Sequence, residues 1–245
     1  MPTSLLAGSW PALRSRLARA ARRLRNRADR ALHPRRRAAA ARLGSVRPAA
    51  VLFICQGNIY RSPYAAGALA RSLPRELWSM VEIASAGFVG GGRPSPAAAV
   101  WAARARGVDL SAHVSRVVGA PLLDERTMVV VMEPRQRREL VARFGVPAAR
   151  VRVLGDLDPR PITTRAIADP WGQGYGVLSA SYDRIDRCTR ALADALAALP
   201  AGTAAPAAAR AGAAGDAAAP PRGRGGGWAI PQPADEGAAS PAAAG

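Results

Sequence analysis

The sequence predicts an α/β fold: a four-stranded parallel sheet with helices on both faces and an anion-binding loop after the first strand. Two observations lead there. From residue 50 apolar runs of strand length alternate four times with segments of helical texture, the pattern of a doubly wound sheet. The first of these runs ends in a cysteine, at the carboxyl end of a strand, where sheets of this class bind their ligands.

The elements follow in order. AAVLFIC at 49–55 is an unbroken apolar run and reads as a buried strand. SPYAAGALARSL at 62–73 reads as a helix, VEIAS at 81–85 as the second strand, and SPAAAVWAARARG at 95–107 as the second helix. TMVVVME at 127–133, PRQRRELVARF at 134–144 and VRVLG at 151–155 repeat the alternation, and SASYDRIDRCTRALADALAAL at 179–199 closes the domain as a long helix. The expected organisation is thus a domain at 49–200 between an arginine-rich extension, 1–48, and a tail, 201–245.

The flanks differ from the middle in kind. Residues 1–50 carry thirteen arginines against a single acid, Asp29, whereas 201–245 carry three arginines against Asp216, Asp235 and Glu236. Every basic residue in the chain is arginine. Over residues 5–32, Leu6, Trp10, Leu13, Leu17, Ala20 and Leu24 recur at three- and four-residue steps with arginines between them, so this stretch reads as an amphipathic helix that His33-Pro34 ends. An anionic membrane surface and a nucleic acid are the two partners that such an arm, residues 5–43, suits; a solvated extension is the alternative. The tail has no apolar periodicity and reads as disordered.

Composition narrows the function. Cys55 and Cys188, 133 positions apart and outside any Cys/His cluster, argue against a zinc site or a disulfide framework and for a reducing compartment. No run approaches the roughly 20 apolar residues of a membrane span, and the first residues lack the apolar core of a secretory signal, so a soluble, cytoplasmic domain is expected.

Between Cys55 and Ser62 the chain must turn sharply from strand to helix, and its backbone N–H groups then converge at the helix N-terminus, a ready anion site. Gly57 permits close approach, Asn58 tolerates a left-handed conformation, and Ser62-Pro63 is expected to open the helix with a capping hydroxyl. The helix terminus and Arg61 both favour the charged form of the Cys55 thiol, which makes it an activated nucleophile. Arg61 can hold two oxygens of a tetrahedral dianion in its planar fork.

With those residues in view, CQGNIYRSP at 55–63 is similar to the phosphate loop C-x-G-N-I-C-R-S-P of the low-molecular-weight protein tyrosine phosphatases. The resemblance spans about 150 residues, with SAG at 85–87, GVDLSAH at 107–113, VVVME at 129–133, VLGDLDP at 153–159 and ADPWG at 168–172 in the family's order. It implies a four-stranded parallel fold and attack by Cys55 on phosphorus, with no metal and no cofactor. Gln56, Gly57, Asn58, Ile59, Tyr60, Arg61 and Ser62 would bind the phosphate. An aspartic acid would protonate the leaving phenolate and then activate water. Asp169 matches that role, because Trp171, Gly172, Gly174 and Tyr175 follow it; Asp158 in LGDLDP is the competitor. The resemblance also implies that Ser62 bonds the Cys55 sulfur and that Ser85 and His113 hold Asn58.

Two departures from the family bear on oxidation and on substrate choice. Tyr60 stands where many members have a second cysteine, so an oxidised Cys55 has no adjacent resolving thiol. The loop FVGGGRPSP after Gly87 is about three residues shorter than usual, so the aromatic that commonly walls the pocket there is missing or is replaced by Phe88, which with Trp171 and Tyr175 is the expected lining of the substrate pocket. The expected activity is hydrolysis of phosphotyrosine in a protein, for which a bacterial tyrosine kinase is one substrate, by a monomer in the cytoplasm or at the inner membrane surface. Arsenate reductase chemistry would need further cysteines, and only Cys188 remains. Protein-arginine phosphatases on this fold typically carry Thr where Ile59 stands. A phosphate-binding module without chemistry is the rival from another class.

Overall fold

The computed structural model describes residues 9–44 and 47–200. Four strands, β1 (Ala50–Cys55), β2 (Glu82–Gly87), β3 (Thr127–Val131) and β4 (Val151–Val153), form one parallel sheet in the order β2-β1-β3-β4. Every connection is a crossover, carried by α2 (Arg61–Ser72), α3 (Ala97–Arg104) and α4 (Pro134–Phe144), and α5 (Tyr175–Ala197) closes the domain. A long helix, α1 (Ser9–Ala41), precedes the sheet.

Alternate residues of a strand point to opposite faces, and the core divides accordingly. Val51, Phe53, Cys55, Val130 and Met132 face a layer with Leu69 from α2 and Ile185 and Leu192 from α5. Leu52, Ile54, Val129, Val131 and Val153 face the other way, with Leu140 of α4. Strand β1 is central and buried on both sides, which explains why AVLFIC is a continuous apolar run with no polar alternation.

Helix α1 does not stop at Pro34 as the sequence suggested; it continues to Ala41 with Pro34 inside it. Proline removes one helical hydrogen bond and crowds the carbonyl four residues back. Here Pro34 and Arg30 both lie on the exposed side, where water can take the freed carbonyl. An ion pair of 2.6 Å from Arg36 to Asp29 spans the proline, and burial of Ala40 and Leu43 holds the last turns on the domain. Residues 5–8 and the segment 201–245 lie outside the described residues.

Three further differences sit near the site. Helix α2 begins at Arg61 with Tyr60 at the capping position, and no side chain caps it. The Ser62 hydroxyl is spent elsewhere, on Cys55, Asn58 and the Ala86 carbonyl, so it is not the predicted cap. Strand β4 is only three residues long and passes into a 3-10 turn at Leu154–Leu157, and α5 begins at Tyr175, four residues before the predicted start.

Candidate active site

Cys55 ends β1 and is buried, with its Sγ 3.0 Å from the Ser62 hydroxyl and accepting the Asn58 backbone N–H at 3.3 Å. The loop from Gln56 to Tyr60 curls over that sulfur into the first turn of α2. Among the described residues, the backbone N–H groups of Gly57, Ile59 and Tyr60 make no protein hydrogen bond, and they lie at a helix N-terminus. That combination favours an anion.

Asn58 holds the loop's shape. It has φ of +50°, the one positive φ at a non-glycine among the described residues, and its side chain is fully buried. Its amide nitrogen donates to the hydroxyls of Ser62 and Ser85, each at 2.9 Å, and its Oδ1 accepts the Arg116 backbone N–H at 2.9 Å. His113 reaches the Asn58 carbonyl at 2.7 Å through Nε2, which must donate because a carbonyl only accepts. Burial pushes the His113 pKa down, the Asn58 bond opposes this, and nearby Arg116 adds to the lowering. The glycine of SAG has a matching reason: a Cβ on Gly87 would lie 2.8 Å from the Asn58 nitrogen and 2.9 Å from the Gln56 carbonyl.

Arg61 points into the same space from α2 and is 1% exposed. Its Nη1 donates to Glu133 at 2.8 Å and to the Ile167 carbonyl at 3.0 Å, its Nη2 pairs with Asp169, and its buried Nε has no protein partner among the described residues. Glu133 was missed by sequence reasoning. It stands just past the carboxyl end of β3, and that position was the available signal. Burial alone would raise its pKa, but bonds from Arg135 and Arg61 hold it below the usual carboxylate range, so Glu133 is charged and anchors the guanidinium.

The two aspartates separate sharply. Asp158 is 2% exposed and accepts Arg184 at 3.0 Å, Arg187 at 3.1 and 3.2 Å and the Arg160 N–H at 3.1 Å. Burial works to raise its pKa, but Arg187 and its other donors keep it lowered. Its oxygens are taken up by two guanidiniums and a backbone N–H, the arrangement of a carboxylate that holds structure. Asp169 lies beside Arg61 with a third of its side chain exposed and also accepts the Trp171 N–H at 3.3 Å.

The aromatic wall is only partly present. Phe88 is buried in the core layer that contains Ile54, Ala86 and Val118, with Arg143 over its ring, so it does not face the mouth of the site. The short loop turns it inward, where the apolar ring escapes water. Trp171 and Tyr175 are exposed, and Tyr175 meets Trp101 with ring centroids 5.5 Å apart, an aromatic neighbour that the sequence did not reveal. Arg93, also missed, binds the Gly57 carbonyl at 3.2 Å and the Gly90 carbonyl at 2.8 Å, pinning the short loop to the phosphate cradle. Tyr60 is half-buried, and burial, then the nearby Asp169, raise its pKa. Cys188 lies in the core, where burial pushes its thiol up to about 12.

A parallel sheet whose first strand delivers a buried cysteine into an anion cradle, with an arginine beside it, defines a cysteine-centred oxyanion site. Comparison with known proteins narrows this. The family model for low molecular weight phosphotyrosine protein phosphatase matches residues 50–200. Among curated relatives, the low molecular weight protein-tyrosine-phosphatase Wzb of Salmonella typhi is 32% identical over 149 residues, covering 60% of this chain and 93% of that protein. Low molecular weight protein-tyrosine phosphatase A of Mycobacterium tuberculosis is 36% identical over 130 residues, covering 51% of this chain and 77% of that protein. Among solved structures, the arginine phosphatase YwlE of Geobacillus stearothermophilus is 29% identical with a TM-score of 0.53, covering 61% of this chain and 94% of that chain. Wzb of Vibrio vulnificus with benzylphosphonate is 25% identical with a TM-score of 0.53, covering 60% of this chain and 98% of that chain. The chain belongs to the low molecular weight phosphotyrosine protein phosphatase family, and it is a cysteine-dependent protein tyrosine phosphatase.

Proposed function

We propose that Cys55 is the nucleophile, Arg61 the phosphate-binding cation and Asp169 the proton donor in hydrolysis of a phosphotyrosine ester. The Cys55 sulfur attacks phosphorus in line, an S–P bond forms as the P–O bond to the phenol breaks, and the Asp169 carboxyl gives its proton to the departing oxygen. In the second step Asp169 takes a proton from water, the water oxygen attacks phosphorus, the S–P bond breaks, and inorganic phosphate leaves. The N–H groups of the loop, with Arg61 Nε, receive the charge that builds on the phosphoryl oxygens. The phosphate competes with Asp169 for Arg61 Nη2, so substrate binding frees the carboxyl to face the leaving oxygen. One observation carries the reading: Cys55 Sγ is held by Ser62 and the Asn58 N–H at the floor of a loop with unspent donors, beside a buried arginine.

Hydrolysis of phenyl phosphate and p-nitrophenyl phosphate by wild type, Cys55→Ser and Asp169→Asn tests it. Wild type turns over, Cys55→Ser is inactive, and Asp169→Asn falls roughly 100-fold or more on phenyl phosphate, the usual contribution of a positioned proton donor, and by less on p-nitrophenyl phosphate. A folded wild type no faster than Cys55→Ser would leave only an anion-binding module. Phosphotyrosine peptides are hydrolysed in preference to phosphoarginine peptides, and a bacterial tyrosine kinase is the protein substrate to test first.

The exposed half of α1 is assigned to an anionic membrane surface, which would hold this enzyme at the cytoplasmic face of the inner membrane. Leu13, Leu17 and Leu24 are 48%, 62% and 66% exposed, and eight arginines lie between residues 13 and 32. At about 100° per residue these leucines fall on the side of the helix opposite the docked residues Asn26, Asp29, His33 and Ala40. Nucleic acid would use the arginines and leave the leucines in water, whereas an anionic bilayer uses both. Among the described residues no helix is long and apolar enough to cross a membrane. Sedimentation with phosphatidylglycerol-containing vesicles checks the assignment: wild type sediments, and Leu17→Glu/Leu24→Glu stays in solution. Equal sedimentation of both, or binding to DNA alone, would overturn it.

A further inference from the structure

The segment from Asp158 to Asp169 leaves the buried Asp158 and ends at the proposed proton donor. Between residues 163 and 169 its backbone is gripped at every step. Helix α5 takes three carbonyls: Arg184 donates to Thr164 at 2.8 Å and to Ala166 at 2.9 Å, and Ser181 donates to Ala168 at 2.9 Å. The Ile167 N–H donates to the Met132 carbonyl at 3.0 Å, and the Ile167 carbonyl receives Arg61.

The two remaining grips come from α1. The Asn26 amide, its nitrogen turned toward the carbonyls that face it, donates to Thr163 at 3.0 Å and to Arg22 of its own helix at 3.2 Å. Asp29 Oδ2 accepts the Arg165 N–H at 3.4 Å, while Asp29 Oδ1 is held by Arg36 at 2.6 Å. The Arg165 side chain is fixed from below by Asp156 at 2.6 and 2.8 Å. Asp29 is buried, so this is a docked contact between polar groups and no surface coincidence. Yet α1 ends before residue 50, where the family match begins. An element outside the family domain therefore holds the segment that presents Asp169.

We propose that Asn26 and Asp29 are positioning residues for Asp169, and that the docked half of α1 is a strut that fixes the proton-donor segment. This rests on the reading of Asp169 as the proton donor. A displacement of about 1 Å in a catalytic group can cost up to roughly 100-fold in rate. Since α5 retains its own grips on the alternate residues, releasing α1 moves the segment only in part, and a loss of about 10-fold is expected when protonation limits the reaction.

The test exploits the leaving group. p-Nitrophenolate departs with little help from a proton, whereas phenolate, as basic as tyrosine at a pKa of about 10, needs one. In the full-length chain, kcat/KM is measured on both phosphate esters for wild type, Asn26→Ala, Asp29→Ala, Asp29→Asn, Leu17→Glu and Asp169→Asn. The strut requires Asn26→Ala and Asp29→Ala to lose about 10-fold on phenyl phosphate and less than about 2-fold on p-nitrophenyl phosphate. Asp29→Asn, which keeps an acceptor for the Arg165 N–H, recovers most of the loss, and Leu17→Glu on the outward face loses nothing on either ester. A variant that is merely less well folded loses both activities by the same factor, and that outcome, like no loss at all, overturns the proposal. If Asp169→Asn itself shows no dependence on the leaving group, the proton-donor assignment fails and the strut with it. If Asp169→Asn shows the dependence and the α1 variants do not, the strut alone fails.

Discussion

Replacing Asn58 is the most informative single change, because one residue carries both the strained turn and the bonds that hold it. Asn58→Ala removes three side-chain hydrogen bonds in a fully buried site: those to Ser62 and Ser85 and the one accepted from the Arg116 N–H. At about 1 kcal/mol net for each, with the Arg116 N–H left without its partner, the loss is roughly 3 to 4 kcal/mol. Placing alanine at φ of +50° adds about 1 kcal/mol, since only glycine and, at lower cost, Asn or Asp visit that region readily. Asn58→Gly loses the same bonds but no steric comfort, while its greater freedom in the unfolded chain costs about 0.5 to 1 kcal/mol. Urea unfolding is therefore expected to show a loss of about 3 to 5 kcal/mol for both, with the two variants within about 1 kcal/mol of each other. The kcat/KM of either falls far more than its residual folded fraction accounts for, because the loop N–H groups lose their alignment. A cost below about 1 kcal/mol for Asn58→Ala would refute the view that these bonds shape the loop.

Two further expectations distinguish structural from chemical groups. Asp158→Asn leaves Arg184 and Arg187 without their buried carboxylate and should lose about 3 kcal/mol in urea unfolding, while the folded variant keeps kcat/KM within a few-fold; Asp169→Asn should do the reverse, and a like pattern in both would undo the assignment of roles. His113 has a lowered pKa in the fold, so below about pH 6.5 the unfolded chain binds a proton that the folded chain does not. Its contribution is present above that pH and declines as pH falls from there toward the lowered folded value. Urea midpoints from pH 8 to 5 should fall more steeply for wild type than for His113→Gln, and parallel curves would dismiss the titration.

Much of this protein is written locally. The continuous apolar run of β1 marked a strand buried on both faces, and the segment PRQRRELVARF at 134–144 is α4 as read. The neighbours of Cys55 were legible for the same reason: Cys55, Asn58, Arg61 and Ser62 fall within one turn between a strand and a helix, so chain order alone brings them together. The misreadings were of another kind. Pro34 is a local stop signal, overruled by an ion pair and by docking that exist only once the domain has folded. Ser62 looked like a helix cap because its sequence neighbours are those of a cap, but the Cys55 sulfur and Asn58, brought there by the fold, claim its hydroxyl. Phe88 was expected at the mouth because aromatics often stand there, and the shortened loop instead turns it into the core.

What the sequence by itself determined was the alternation that makes the sheet, the tight loop after β1 and the cysteine at its floor. These depend on side-chain period and turn chemistry, which act over a few residues. Only the tertiary structure decided which aspartate is sealed by arginines and which stands at Arg61, that Glu133 anchors that arginine, and that α1 grips the segment ending at Asp169. Those pairings join residues 26 to 136 positions apart. Burial selects such partners, because a polar group taken out of water must be matched wherever the chain has placed it.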